Sequence, residues 1–311
     1  MTALGDNGEG ISAECRPQRC AIHRKAVLLK IEKWYLLGMA TFRILQRILR
    51  PQRVIEGADV PVRRYLGHDF AEELDPFLML DEIQLGPEVG KLAGFPWHPH
   101  AGQATFSYII QGSMGHEDTL GNKGQVGAGG AQYMVAARGI EHQEFPGLSP
   151  QGFWAFQLWI NLDHMARLLT PSYQNLPAES IPVTEENGVL VRHVLGPTGA
   201  IKKPCRNLHF LDVTIQAGSQ WSYALPASHQ AWLLGLGGIL EVQSGDFRET
   251  LKIQELGLLT AGDSLHVSCF GNSPARFLLV AGEPVREPIF WYGPFVARNS
   301  EEMRLLVQRM R

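Results

Sequence analysis

Short apolar runs separated by turn residues dominate the chain from about Arg53 onward. The runs are rich in β-branched and aromatic residues, which are typical of strands. With 33 glycines and 19 prolines among 311 residues, turn signals are frequent enough to end each run after a few residues. This pattern predicts a sandwich or barrel rather than a parallel α/β sheet. The clearest predicted strands span residues 61–66, 77–80, 105–110 and 153–160, and the last is apolar enough to be buried on both faces.

A hairpin-like pattern occurs twice along the chain. The run Tyr108 to Gly112 resembles Trp232 to Gly237, and the glycine turn at 127–130 resembles the turn at 260–263. A repeated hairpin-rich unit suggests a duplicated β-barrel. We therefore predict an all-β fold of two tandem barrels. We place an N-terminal extension at 1–50, the first barrel at 51–185 and the second at 186–311.

The two ends of the chain differ from the barrels. Residues 1–12 are glycine-rich and polar, which favours disorder, and residues 24–50 mix basic and apolar residues without an unbroken apolar stretch of transmembrane length. An amphipathic helix is possible there, and Met39 is an alternative translation start. Near the other end, Asn299 can cap a short helix whose acidic first turn precedes Met303 and Leu306.

The overall composition excludes some classes of function. A net charge of −3 and a pI of about 6.4 give no strongly basic face for nucleic acid. Four scattered cysteines do not form a disulfide framework, so we expect a reducing, cytoplasmic location. Cys15, Cys20 and His23 lack a fourth ligand, and we interpret them as incidental.

Two histidine pairs are the strongest chemical signal in the chain. They are His98-Pro99-His100 and His142-Gln143-Glu144. Residues two apart on a strand share one face, so each pair can present both groups to one point. Three imidazoles and one carboxylate suit iron, nickel, copper, manganese or zinc, but not calcium.

The second predicted barrel has no equivalent of these pairs. Its histidines, which are His193, His209, His229 and His266, are dispersed and have no partner two residues away. We predict one mononuclear metal site, in the first barrel.

Several longer motifs resemble those of one protein family. The stretch FPWHPHAGQATFSYIIQGSMGHEDTLGNKGQVGAGG is similar to the signature of the pirins, which are members of the cupin superfamily. The same family is resembled by LDPFLMLDE (Leu74 to Glu82), GIEHQEFP (Gly139 to Pro146), FQLWINL (Phe156 to Leu162) and AGEPVREPIFWYGPFVARNSEE (Ala281 to Glu302). The resemblance extends from about Arg53 to Arg311.

This resemblance implies a bicupin, with metal only in the N-terminal cupin barrel. The family's ligand motifs fall on His98, His100, His142 and Glu144, the four residues already selected, and the usual metal of the family is Fe²⁺. The chain departs from the common HPHRGFETVTY motif at Ala101 and Ala104, where pirins have arginine and glutamate. Trp97, where a smaller or acidic residue is common, is expected to narrow the mouth of the pocket.

The resemblance implies two classes of function. One is a quercetin 2,3-dioxygenase, an enzyme that cleaves a flavonol with O₂ at the metal, with Glu144 as the general base. The other is a redox-sensing regulatory protein, whose metal state is recognised by a protein partner in transcription or metabolism. A structural zinc site closed by four protein ligands is a third, simpler alternative. We expect neither direct nucleic-acid binding nor a membrane span.

Overall fold

The computed structural model describes residues 41–87, 94–201 and 207–310. The predictions for residues 1–40, which concern the glycine-rich tail, Cys15, Cys20 and His23, the amphipathic segment before residue 41 and Met39, lie outside the described residues. The first twelve strands are β1 (Leu45–Leu49), β2 (Gln52–Glu56), β3 (Val60–Leu66), β4 (Phe77–Leu85), β5 (Phe95–His100), β6 (Gln103–Gln111), β7 (Ser113–Asp118), β8 (Lys123–Gly127), β9 (Ala131–Val135), β10 (Ile140–Gly147), β11 (Phe153–Asn161) and β12 (Ser172–Leu176).

The remaining strands belong to the second half of the chain. They are β13 (Val183–Glu186), β14 (Val189–Leu195), β15 (Leu208–Ile215), β16 (Gln220–Ala224), β17 (Gln230–Gly237), β18 (Ile239–Ser244), β19 (Phe247–Lys252), β20 (Leu256–Leu259), β21 (Ser264–Cys269), β22 (Ala275–Gly282), β23 (Phe290–Tyr292) and β24 (Phe295–Ala297). Two α-helices, His164–Arg167 and Ser300–Arg309, and two 3₁₀ turns, His68–Phe70 and Ala178–Ser180, complete the described elements.

Each of the two barrels consists of a seven-stranded sheet packed against a four-stranded sheet. In the first barrel the orders are β12-β9-β6-β11-β4-β3-β2 and β5-β10-β7-β8. In the second they are β1-β20-β17-β22-β15-β14-β13 and β16-β21-β18-β19. The two arrangements correspond strand for strand, so the predicted duplication is confirmed. The four strands predicted from the sequence are parts of β3, β4, β6 and β11.

The two short sequence similarities between the halves of the chain differ in outcome. Tyr108 and Trp232 lie on β6 and β17, which hold the same position in the two sheets. The predicted match between the two glycine turns was wrong. Residues 127–130 join β8 to β9, whereas residues 260–263 follow β20, which is the counterpart of β9. Glycine turns are common in both barrels, so composition alone produced that match.

The edges of the second barrel differ from the boundaries predicted from the sequence. Residues 45–49, which we assigned to a disordered or helical extension, form β1 and pair with β20. Strand β13 spans the predicted boundary between residues 185 and 186, and all of it pairs with β14 in the second sheet. The pairing of β1 with β20 depends on register between segments that are distant in the chain, which local composition does not encode.

The two seven-stranded sheets pack face to face through one continuous apolar core. Phe106 and Phe210 meet across it with ring centroids 4.8 Å apart. Tyr108 donates a hydrogen bond of 2.7 Å to Asp212 from the other barrel. Arg276 also binds the Asp212 carboxylate, at 3.0 and 2.6 Å. The buried carboxylate is therefore satisfied by donors from both barrels.

The last segment of the chain returns to the first barrel. Strands β23 and β24 form a hairpin that is held beside the β5–β6 turn, where the Val296 amide donates to the Ala101 carbonyl at 2.9 Å. The helix Ser300–Arg309 follows, capped as predicted by Asn299, whose side chain accepts from the Glu302 amide at 2.9 Å. Neither helix in the described part of the chain has the length and hydropathy that a membrane span requires.

Candidate metal centre

Strands β5 and β10 are antiparallel neighbours and place the predicted ligands side by side. His142 lies directly opposite His98 in the ladder. The register then shifts by one residue, because two residues of β5, Pro96 and Trp97, face one residue of β10. A bulge of this kind bends the strand and changes the direction of its side chains. Proline, which has no amide N–H to donate, is tolerated at such a position.

Three of the four predicted ligands come together. The side chains of His98, His100 and His142 each offer a nitrogen, and these three atoms lie within 4.8 Å of one another. Among the described residues this is the one group of histidine, cysteine and carboxylate side chains able to hold a metal ion. The rings of His98 and His142 are 4.4 Å apart between centroids.

Glu144, the fourth predicted ligand, is not part of that group. Its side chain is buried, and Gln157 donates to its Oε2 at 2.7 Å while Ser107 lies 3.3 Å from its Oε1. Both donors are on the seven-stranded sheet, so the carboxylate is held between the two sheets of the barrel. Its role as a ligand therefore stays a prediction.

Burial favours the neutral imidazole form of two of the three histidines. Burial lowers the pKa of His100 well below the usual histidine value, and the neighbouring His98 lowers it further. Burial and three nearby imidazoles lower the pKa of His142 in the same direction. Neutral imidazole is the form that binds a metal.

The hydrogen bonds of the rings leave nitrogens available to a metal. His98 Nδ1 lies 2.7 Å from the Pro96 carbonyl, so its Nδ1–H is donated and Nε2 keeps its lone pair. His142 Nδ1 lies 3.4 Å from His116 Nδ1, while its buried Nε2 has no hydrogen-bond partner within residues 41–87, 94–201 and 207–310. An unpartnered buried nitrogen next to two other imidazoles fits a divalent transition metal.

The third ring lies against a buried side-chain amide. The Gln103 amide nitrogen lies 2.8 Å from His100 Nδ1 and also donates to the Pro294 carbonyl at 2.9 Å. The buried Oε1 of the same amide has no hydrogen-bond partner among the described residues. The two contacts of its nitrogen fix the position of the amide beside the His100 ring.

A pocket of about 500 Å³ opens beside the histidines. Its walls include Trp97, Trp159 and Trp291, and His68 stacks on Trp291 at 3.8 Å. Trp97 is 48% exposed, and it lines the pocket as the sequence suggested. Trp291 is on the β23–β24 hairpin, so a segment from beyond the second barrel helps to enclose the site in the first.

One side of this pocket is charged. Arg64 binds Asp81 through two hydrogen bonds of 2.8 and 2.7 Å and also reaches Glu56 at 2.7 Å. All three residues line the pocket together with His98 and His100. The pocket therefore combines aromatic walls, two imidazoles of the histidine group and a set of fixed hydrogen-bonding groups.

The two departures from the common motif lie in apolar surroundings. Ala101 is fully buried in a cluster with Phe295 and Met303, and Ala104 is fully buried in the core between the barrels. Neither side chain is among those that line the pocket.

Sequence reasoning missed several residues around the site. His116 and Asp118 lie on β7, where they face Glu144 and His142 across the ladder. They have the same spacing of two residues as the pairs that were selected, and this spacing was the signal that could have found them. Gln157 and Trp291 carried no such signal.

Comparisons with known proteins agree with this geometry. Residues 59–160 match the Pirin family model and residues 210–309 match the model of the pirin C-terminal cupin domain. The chain is 35% identical to human Pirin over 252 residues, which cover 80% of this chain and 85% of that protein. It is 35% identical to a Pirin-like protein from Caulobacter vibrioides over 265 residues, covering 83% and 94%.

A solved structure is also similar. The crystal structure of quercetin 2,3-dioxygenase from Acinetobacter baumannii superposes with a TM-score of 0.76 at 26% identity, covering 86% of this chain and 96% of that one. Both family models and the strand order fit two cupin barrels in tandem, as predicted. On these matches, the chain belongs to the pirin family.

Proposed function

We propose that this protein is a metal-dependent dioxygenase that cleaves the central ring of a flavonol such as quercetin with O₂, and that its metal is Fe²⁺. The observation that carries the proposal is the group of three histidines, two of which line an aromatic pocket of about 500 Å³. The similarity to a solved quercetin 2,3-dioxygenase supports the choice of substrate.

The histidines and Glu144 would have different roles at the site. His98, His100 and His142 would hold the metal, with Glu144 as a fourth ligand from the same strand as His142. A metal bound there supplies Lewis-acid and redox chemistry for a reaction between a phenolic substrate and O₂. The Glu144 carboxylate would accept the proton of the flavonol hydroxyl, because it is two residues from His142 on the same strand and is held in place by Gln157.

The pocket supports a flat, hydroxylated aromatic substrate. A volume of about 500 Å³ is within the range of sites for small organic ligands. Trp159 and Trp291 offer apolar faces for ring packing and exclude water from the reacting centre. Arg64 and Asp81 supply hydrogen-bonding groups for substrate hydroxyls at the charged side.

The test is turnover of a defined flavonol by the full chain. Protein is loaded anaerobically with Fe²⁺, quercetin is added, and air is admitted while oxygen uptake and loss of the flavonol absorption band are followed. We expect turnover by the unmodified protein and a loss of at least about 100-fold in Glu144→Gln, because removal of a general base typically costs 10²–10⁴-fold.

Glu141→Gln is the matched control, since Glu141 is on the same strand but outside the histidine group. It should leave turnover unchanged. No turnover of several flavonols at full iron occupancy would contradict the proposal and favour the regulatory function. Retention of zinc alone in protein isolated from its source would favour a structural site.

A further inference from the structure

Behind the histidine group, three buried side chains form a chain of hydrogen bonds that ends at His142. Asp118 Oδ2 lies 3.2 Å from His116 Nε2, and His116 Nδ1 lies 3.4 Å from His142 Nδ1. All three residues are at most 5% exposed. The ladder between β7 and β10 aligns them, because His142 faces Asp118 and Glu144 faces His116.

The direction of the hydrogen bonds follows from the carboxylate. A carboxylate oxygen accepts, so His116 donates to Asp118 through Nε2–H, and in the imidazole form its Nδ1 is left as an acceptor. His142 must then place its own proton on Nδ1 in order to donate to His116. Its Nε2, which is buried and has no hydrogen-bond partner in the part of the chain that the structure describes, consequently carries a lone pair.

We infer that Asp118 and His116 are positioning residues that set the tautomer of His142, so that its Nε2 is already prepared to bind the metal. A metal-bound histidine usually donates its other N–H directly to a carboxylate, carbonyl or water. Here a second histidine lies between the ligand and the carboxylate. The inference depends on metal binding by the three histidines, but it does not depend on flavonol oxidation.

The surroundings hold this chain rigidly. The His116 ring stacks on Tyr173 with centroids 4.0 Å apart and planes 7° from parallel. Asp118 Oδ1 accepts from the Leu120 amide at 2.9 Å and from the Asn122 amide at 3.0 Å. Oδ2 faces His116 and also accepts from the Asn122 side-chain amide at 2.8 Å. The two backbone donors at Oδ1 are fixed, whereas the Asn122 amide can rotate to present its oxygen. The backbone donors therefore determine which way round an amide would sit at position 118.

The substitution Asp118→Asn is therefore expected to reverse the tautomer of His142. The two backbone N–H groups retain the amide oxygen at the Oδ1 position, so the amide NH₂ points at His116 Nε2. His116 must then accept at Nε2 and carry its proton on Nδ1, where it donates to His142 Nδ1. His142 is driven to the Nε2–H form, which cannot bind a metal through that nitrogen.

Two other variants separate tautomer control from a structural role. His116→Phe keeps a ring to stack on Tyr173 but removes the hydrogen-bond acceptor. His142 can then adopt either tautomer, rather than being driven to the Nε2–H form. Glu117→Gln makes the same change from carboxylate to amide one residue from Asp118, at a side chain that instead pairs with the exposed Lys123. If tautomer control is correct, the smaller change at Asp118 is more harmful than the larger one at His116.

The first measurement uses metal-free protein labelled with ¹⁵N-histidine. Long-range proton–nitrogen correlation spectra distinguish Nδ1–H from Nε2–H imidazoles. We expect Nδ1–H for His142 in the unmodified protein and in Glu117→Gln, a mixture in His116→Phe, and Nε2–H in Asp118→Asn. An unchanged His142 tautomer in Asp118→Asn would overturn the inference, and if that variant does not fold, an unchanged tautomer in His116→Phe would do so.

The second measurement is the affinity for Co²⁺, followed by its visible absorption bands. We expect a 10- to 100-fold loss of affinity in Asp118→Asn, a smaller loss in His116→Phe, and no change in Glu117→Gln. A greater loss in His116→Phe than in Asp118→Asn would assign the pair a packing role and reject tautomer control. Because neither readout involves quercetin, these results are distinct from success or failure of the proposed dioxygenase activity.

Discussion

Individual residues at the metal centre were predictable because their chemistry is local. An i, i+2 pair of ligand-type side chains on a strand shares a face in any sheet, so His98, His100 and His142 could be selected without knowing which strands are neighbours. The partners of those residues could not be selected in this way. Gln103, Gln157 and Pro96 have no distinctive pattern. Gln157 reaches Glu144 because strands from two sheets meet there, whereas Gln103 and Pro96 are within three residues of the histidines that they contact.

His209, in the second barrel, gives a residue-level prediction of pH dependence. Burial, with His229 and Arg43 nearby, lowers the pKa of His209 from 6.5 to about 4. Below pH 6.5 His209 therefore binds a proton in the unfolded chain, whereas in the folded protein it stays unprotonated until about pH 4. Its contribution to stability is fully present above pH 6.5 and is lost as the pH falls toward 4.

The measurement is urea unfolding of the unmodified protein and of His209→Gln at several pH values between 7.5 and 4.5. Over this range we expect the free energy of unfolding to fall by roughly 2–3 kcal/mol more in the unmodified protein than in the variant. Parallel pH profiles for the two proteins would contradict this assignment. His209 is outside the histidine group, so the comparison does not depend on bound metal.

At the level of elements, the β23–β24 hairpin was the least predictable part of the site. It carries Trp291 to the pocket from a position far along the chain, after both barrels are complete. Its attachment depends on Gly102, which has φ +87 and packs so closely that an added Cβ would overlap the Val296 carbonyl. A glycine after a histidine motif does not by itself indicate which segment comes close to it.

Gly102→Ala should therefore disrupt the attachment of the hairpin. The added methyl group combines left-handed backbone strain, which costs about 1 kcal/mol, with an overlap against backbone that cannot move cheaply. Gly271→Ala is the matched control, because Gly271 has φ +100 but no atom within 4 Å of an added Cβ. In urea unfolding we expect a loss of about 1 kcal/mol for the control and at least about 3 kcal/mol for Gly102→Ala. Equal losses would show that the close approach to Val296 is unimportant.

At the level of the whole molecule, the two barrels share one core. The apolar cluster between the seven-stranded sheets contains residues of both halves, and Tyr108, Asp212 and Arg276 form a buried polar link inside the same interface. Strand β1 adds a second connection, because a segment that precedes the first barrel completes the sheet of the second. Neither barrel can expose its inner sheet without losing a large apolar area.

We therefore expect one cooperative unfolding transition by calorimetry for the two barrels together. Tyr108→Phe removes a donor from buried Asp212 and should lower the stability of that single transition by about 1–3 kcal/mol. Tyr292→Phe, at a 69% exposed side chain, is the control and should leave it within about 0.5 kcal/mol. Two separate transitions, of which Tyr108→Phe affects one, would show that the barrels unfold independently.

The sequence by itself determined the all-β class, the duplication and three clustered histidines, because alternation, turn residues and i, i+2 spacing act over a few residues. Only the tertiary structure decided which strand completes which barrel, what holds Glu144, and which side chains enclose the pocket. It also placed Asp118 and His116 behind His142. These features depend on register and packing between segments that are distant in the chain, and the free energy of such contacts belongs to both partners rather than to either segment alone.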